Sequence, residues 1–178
     1  MQPQPPAEIP PDEGPSLQLG GFGVVFKVGG EATGGSFSVV EHPIQPGTLI
    51  FPHAHRHEDE HSFVVAGHIG ARVGDHEIPD AGPGSYVLKP RGVAHAYWNA
   101  GPGSARVLDI ISPAGFEKYF EELAELFAAE NPSEPDVHKL AELIERYGLA
   151  PRLDWVAELE KKYGVSLNRP SPERGDDD

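Results

Sequence analysis

Between Leu17 and Ser112 apolar residues recur in short runs, FGVVFKV, SFSVVEHPI, TLIF, HSFVVAG, GARV, YVL, HAYW and RVLDIIS, set apart by glycine and proline. Side chains on a strand alternate between its two faces, so runs of this length and spacing predict strands of a sandwich or small barrel. Several turns can be typed. Gln45-Pro46-Gly47-Thr48 places proline and glycine as a type II turn requires, and Lys89-Pro90-Arg91-Gly92 follows the type I preference. Gly34 and Gly35 predict a further tight connection. After Pro113 the period lengthens. Phe116, Tyr119, Phe120, Leu123 and Phe127 lie on one face of a helix, with Glu121, Glu122 and Glu125 opposite. Ser133 is the expected N-cap of a second helix, with Asp136 three residues on and Val137, Leu140, Ala141 and Ile144 as its apolar stripe. Gly148 is expected to end it, and Pro151 to open a third helix carrying Trp155, Val156 and Leu159, closed near Gly164.

The ends differ from this pattern. Residues 1–16 are rich in proline and offer almost nothing to bury, which predicts an extended, mobile arm. Residues 168–178 read as an acidic tail of the same kind. The expected organisation is thus an arm over 1–16, a β-domain over 17–112, helices over 113–167, and the tail. The helices are expected to pack over the outside or the mouth of the β-domain.

Composition removes several function classes. Twenty-eight acidic residues against 14 basic ones give a formal charge of −14. Binding nucleic acid or an anionic lipid surface needs a basic stripe, and none is present. The chain has no cysteine, so disulfides and thiolate ligands are ruled out. The first residues lack the basic start and apolar run of a secretory signal, and no apolar stretch approaches the ~20 residues of a membrane helix. A soluble, cytoplasmic protein is expected.

The candidate chemistry lies in Gly47–Gly67, where His53 and His55 would share a strand face and Glu60 would return beside them on a hairpin neighbour. Two imidazoles and a carboxylate suit a divalent transition metal. His95, after the Pro90–Gly92 turn, is the fourth candidate. The remaining histidines, His42, His57, His61, His68, His76 and His138, are read as surface or loop residues.

These stretches resemble the two sequence motifs of the cupin superfamily. Gly47, His53, His55, Glu60 and Gly67 fit G(X)5HXH(X)3-4E(X)6G, and Gly84, Pro90, Gly92, His95 and Asn99 fit G(X)5PXG(X)2H(X)3N, with 16 residues between the motifs. The resemblance implies a mainly β, jelly-roll type barrel with C-terminal helices and one interior ion, iron, manganese, nickel, cobalt or zinc, held by three histidines and one glutamate. The single-domain layout is similar to bacterial quercetin 2,3-dioxygenase-like proteins, which implies a homodimer acting on a flavonol or related enol with dioxygen. Glu60 would then be metal ligand and general base. A metal-containing binding or sensing module, or an isomerase or decarboxylase, would use the same ligands. Strand parity adds an expected pocket. If the ligands face inward, so do Leu49, Phe51, Ser62, Val64 and Tyr97, giving a mostly apolar lining for a small molecule, while Phe63 and Trp98 point outward.

Overall fold

A computed structural model describes residues 8–11, 13–129 and 136–167. Its strands are β1 (Ser16–Leu19), β2 (Phe22–Val28), β3 (Ser38–Ile44), β4 (Thr48–Leu49), β5 (His53–His55), β6 (Asp59–Ala66), β7 (Ile69–Val73), β8 (His76–Ala81), β9 (Tyr86–Lys89), β10 (His95–Asn99), β11 (Ala105–Ser112) and β12 (Leu149–Pro151). The helices are α1 (Glu117–Ala129), α2 (Val137–Arg146) and α3 (Val156–Tyr163). One sheet runs β1-β2-β3-β11-β6-β9; the other runs β12-β5-β10-β7-β8, with β4 paired to β10.

The two-residue period decides which face is interior. On β3 it buries Ser38, Val40, His42 and Ile44, and on β11 Ala105, Val107, Asp109 and Ile111. Ile44, Val64, Val87 and Val107 from the first sheet meet Ile69, Ala71, Ala81 and Tyr97 from the second in one core. Each fully buried aliphatic side chain there contributes roughly 1.5–3 kcal/mol of transfer free energy. On the other face of the second sheet, Leu49, Ala96 and Trp98 pack against Trp155 and Leu159, so α3 lies outside the barrel. Gly70 sits opposite Trp98 in register, and a β-carbon there would come within 2.3 Å of the indole nitrogen. Only glycine lets the indole lie on the neighbouring strand. The stripe Phe116, Tyr119, Phe120, Leu123 and Phe127 joins Val24, Val40, Ile111 and Leu149, which places α1 across the mouth.

Four expectations are corrected. Pro151 ends β12 rather than opening a helix. Gly148, at φ +64°, reverses the chain after α2, and Leu149, Ala150 and Pro151 then pair with His55, Ala54 and His53. At the edge of the sheet the missing N–H of proline is tolerated, and a 3-10 turn at Leu153–Trp155 leads into α3. The cap of α2 is Asp136, which accepts from His138 N at 2.9 Å and Lys139 N at 3.4 Å; Ser133 lies outside the described residues. The hydrogen-bonded turn before β10 is Pro90–Val93, one residue later than the spacing suggests, with Gly92 at φ +75°. Lastly, part of the N-terminal arm is tied down. Lys27 Nζ donates to the carbonyls of Pro10, Pro11 and Glu13 at 3.1, 2.7 and 2.7 Å, and Phe26 N donates to Pro15 O. Residues 1–7, 12 and the tail 168–178 lie outside the described residues. Among the described residues no helix is long and apolar enough to cross a membrane.

Candidate metal centre

Strand register brings the histidines together. His53 on β5 is paired directly with His95 on β10, and His55 lies one alternation further along β5. Glu60 arrives differently from the sequence expectation. Residues 56–58 carry the chain from the second sheet to the first, so Glu60 on β6 faces the histidines across the interior instead of adjoining them on a paired strand. The four donor atoms lie within 4.8 Å of one another. That is close to the span of opposite ligands held ~2.0–2.3 Å from one ion.

Backbone carbonyls set two of the rings. His53 Nδ1 is 2.6 Å from Phe51 O and His95 Nδ1 is 3.1 Å from Val93 O, each two residues back. A proton on each Nδ1 is thereby satisfied, which leaves both Nε2 lone pairs directed at the centre. His95 Nε2 is buried with no hydrogen-bond partner among the described residues. His53 Nε2 is 3.0 Å from His55 Nε2, which is itself 2.6 Å from Glu60 Oε2. A divalent ion satisfies all of these atoms at once, so the residues present fit such an ion.

Behind Glu60 stands a polar network inside the barrel. Lys89, paired with Glu60 across β6–β9, donates to Glu60 Oε1 and lies 3.4 Å from both oxygens of Asp109. Ser62, cross-strand from Asp109, and the Tyr97 hydroxyl also donate to that carboxylate, and His42 Nε2 is 3.5 Å from it.

Comparison with known proteins fits this architecture. The family model described as "Cupin domain" matches residues 40–111, a span that contains every metal-centre residue. These residues form a cupin domain. Among solved structures, KdgF from Halomonas sp. is 18% identical, with a TM-score of 0.56 over 63% of this chain and 99% of that one. A predicted oxalate decarboxylase from Thermotoga maritima is 15% identical, at 0.57 over 60% and 99%. An RmlC-like cupin from Shewanella frigidimarina is 20% identical, at 0.53 over 66% and 99%. At these identities the likeness is one of fold. No curated protein matches the chain by sequence.

Within the cupin domain, burial and neighbouring charge set the protonation states. Burial lowers His53, helped by the charge of His55, to about 4. Burial and His53 likewise hold His95 well below the usual histidine range. Both rings are neutral near pH 7 and available as ligands. Burial also pulls His55 down, but the carboxylates of Glu58 and Glu60 outweigh it and push the ring up to about 9. Burial would raise Glu60, yet the Lys89 charge and the His55 hydrogen bond hold it well below the carboxylate range. Asp109 is raised by burial against the pull of Lys89.

The cupin interior opens beside the centre into a cavity of about 90 Å³, lined by Phe51, His53, Glu60, Tyr97 and Asp109 and roofed by Phe116, Tyr119 and Phe120 of the helical layer. Phe116 stands edge-on to the His55 ring at 4.3 Å. This is well below the ~300–1,000 Å³ of a typical ligand pocket.

Of the pocket residues expected from parity, Phe51 and Tyr97 line this cavity. Ser62 is buried against Asp109, and Val64 is in the core between the sheets. Leu49 is corrected: it faces the outer layer with Trp98, because the chain leaves strand geometry at residues 50–52 and Ile50 takes the inner position. His42 is also corrected, being 1% exposed, with Nδ1 2.9 Å from Gly23 O. Lys89, Asp109 and His42 were overlooked because each is a polar residue on a strand face that is mostly apolar. That parity, read on YVLK, RVLDIIS and SVVEHPI, is the signal that would have found them.

Proposed function

We propose that this cupin domain holds one divalent transition ion through His53, His55, Glu60 and His95 and oxygenates a small enolic molecule with dioxygen. The observation that carries the metal reading is the set of converging Nε2 atoms, two of them with their Nδ1 protons already engaged and one, His95, otherwise unpartnered. An ion bound there would act as a Lewis acid for an anionic oxygen and, if redox-active, as a route for electrons to dioxygen. The protein's own residues supply the rest. Phe51, Tyr97 and Phe116 present an apolar wall that excludes water and fits a flat, unsaturated body. Glu60 takes the hydroxyl proton on its carboxylate. Being a weak base, it selects an acidic hydroxyl such as that of an enol and leaves ordinary alcohols untouched. Insertion of both atoms of dioxygen needs no external reductant.

The cavity volume refines the substrate. A flavonol is larger than the space beneath Phe116 and Tyr119, so a flavonol enters only if α1 moves aside. Small enols of a few heavy atoms fit without that movement. Oxygen uptake by metal-loaded protein over a size series of enols tests this. The expected result is one dioxygen consumed per small enol, with turnover lowered at least ~100-fold in Glu60→Gln, the lower range for loss of a general base. Metal content of the variant is measured alongside. No uptake with any member of the series, with the ion bound, removes the oxygenase reading.

A further inference from the structure

Lys89 carries out a task that packing alone does not require. Its side chain is 1% exposed, on a strand where Val87 fills the preceding inward position. Burying an ammonium costs several kcal/mol unless it is well paired. Here it contacts Glu60 Oε1, lies 3.4 Å from both Asp109 oxygens, and stands 4.7 Å over the Tyr97 ring. Asp109 is fixed in turn by the hydroxyls of Ser62 and Tyr97. The ammonium is therefore held from two sides and does not line the cavity.

The consequence lies at Glu60. A carboxylate can offer a metal one oxygen or chelate it with both. Glu60 Oε2 is turned toward the histidines, 2.6 Å from His55 Nε2, while Oε1 is turned to Lys89. We propose that Lys89 is a positioning residue that keeps Glu60 a one-oxygen ligand, so that an ion in the centre retains a position for substrate that a chelating glutamate would take. This rests on the metal-centre reading above.

The test uses Co(II) as the probe. Protein carrying ¹³C-carboxylate glutamate is compared with and without Co(II) by infrared difference spectroscopy, after the bound cobalt has been counted. A one-oxygen carboxylate ligand gives widely separated asymmetric and symmetric stretches, and a chelating one gives a narrow separation. The unmodified chain is expected to show the wide form. Lys89→Met combined with Asp109→Asn removes the ammonium while keeping the buried charge balanced. It is expected to show the narrow form and to bind azide at the cobalt on the order of 10–100-fold more weakly, the range that partners behind metal ligands command. A narrow separation in the unmodified chain overturns the proposal and leaves the metal centre standing. So does a wide separation in both proteins with equal azide affinity. Failure of the unmodified chain to bind Co(II) overturns both readings. If the double variant does not fold, the spectrum of the unmodified chain decides.

Discussion

Replacing His53 and His55 together with alanine is expected to reduce bound divalent metal from one ion per chain to background while the barrel stays folded. The pair supplies two of the four donors, and the remaining Glu60 and His95 come from opposite sheets with nothing to draw them closer. The fold survives because the core between the sheets contains neither ring. The loss under Phe116 is felt: the His55 ring fills space at 4.3 Å from it, and emptying such a site costs ~1–3 kcal/mol, less than the largest core truncations. At ~2–4 °C per kcal/mol for a chain of this size, the metal-free variant should melt only several degrees below the metal-free parent. Elemental analysis and circular dichroism together read the outcome. Full metal content in the folded double variant contradicts the ligand assignment.

The second large effect is on pH. Metal affinity is expected to rise about tenfold per pH unit from roughly pH 5 to pH 9 and to level off above, since one proton must leave for each ion bound. The proton is that of His55, which the metal-free chain holds up to about 9; His53, at about 4, and His95 are already neutral through this range. Below about pH 4 the slope steepens as His53 also takes a proton. An unperturbed histidine set would instead lose its metal near pH 6.5 and show no slope above it. The metal-free protein responds with its own signs. The raised His55 contributes stability that is fully present below about 6.5 and lost as pH rises through about 9. The lowered His53 withdraws stability as pH falls from about 6.5 toward 4. Competition against a chelating dye at a series of pH values measures the slope, and a flat profile between pH 7 and 9 contradicts the protonation of His55.

The clustering of His53, His55, Glu60 and His95 was legible in part because motif spacing and strand parity report on neighbouring positions along one strand. His53 and His55 on β5 are an example. What parity cannot report is which strand lies opposite. Glu60 was expected beside the histidines and comes from the facing sheet, because a three-residue connection serves a hairpin or a crossing between sheets equally well. Leu49 was misplaced for a related reason: parity carries only along continuous strand, and Ile50, Phe51 and Pro52 interrupt it. Parity along each strand turns Lys89, Asp109 and His42 inward, but their meeting in one network depends on the pairing of strands far apart in sequence, which no local pattern announces. In the C-terminal region the helical stripes were readable. β12 was not, since Leu149–Pro151 is too short to show a period and is held as a strand by its pairing with β5.

The centre itself is tested most directly by anomalous diffraction from a crystal grown with manganese or cobalt. One peak is expected within ~2.0–2.3 Å of His53 Nε2, His55 Nε2, His95 Nε2 and Glu60 Oε2, the distances such ligands take. A fully loaded crystal with no peak among these four atoms, His55 still hydrogen-bonded to Glu60, would contradict the account.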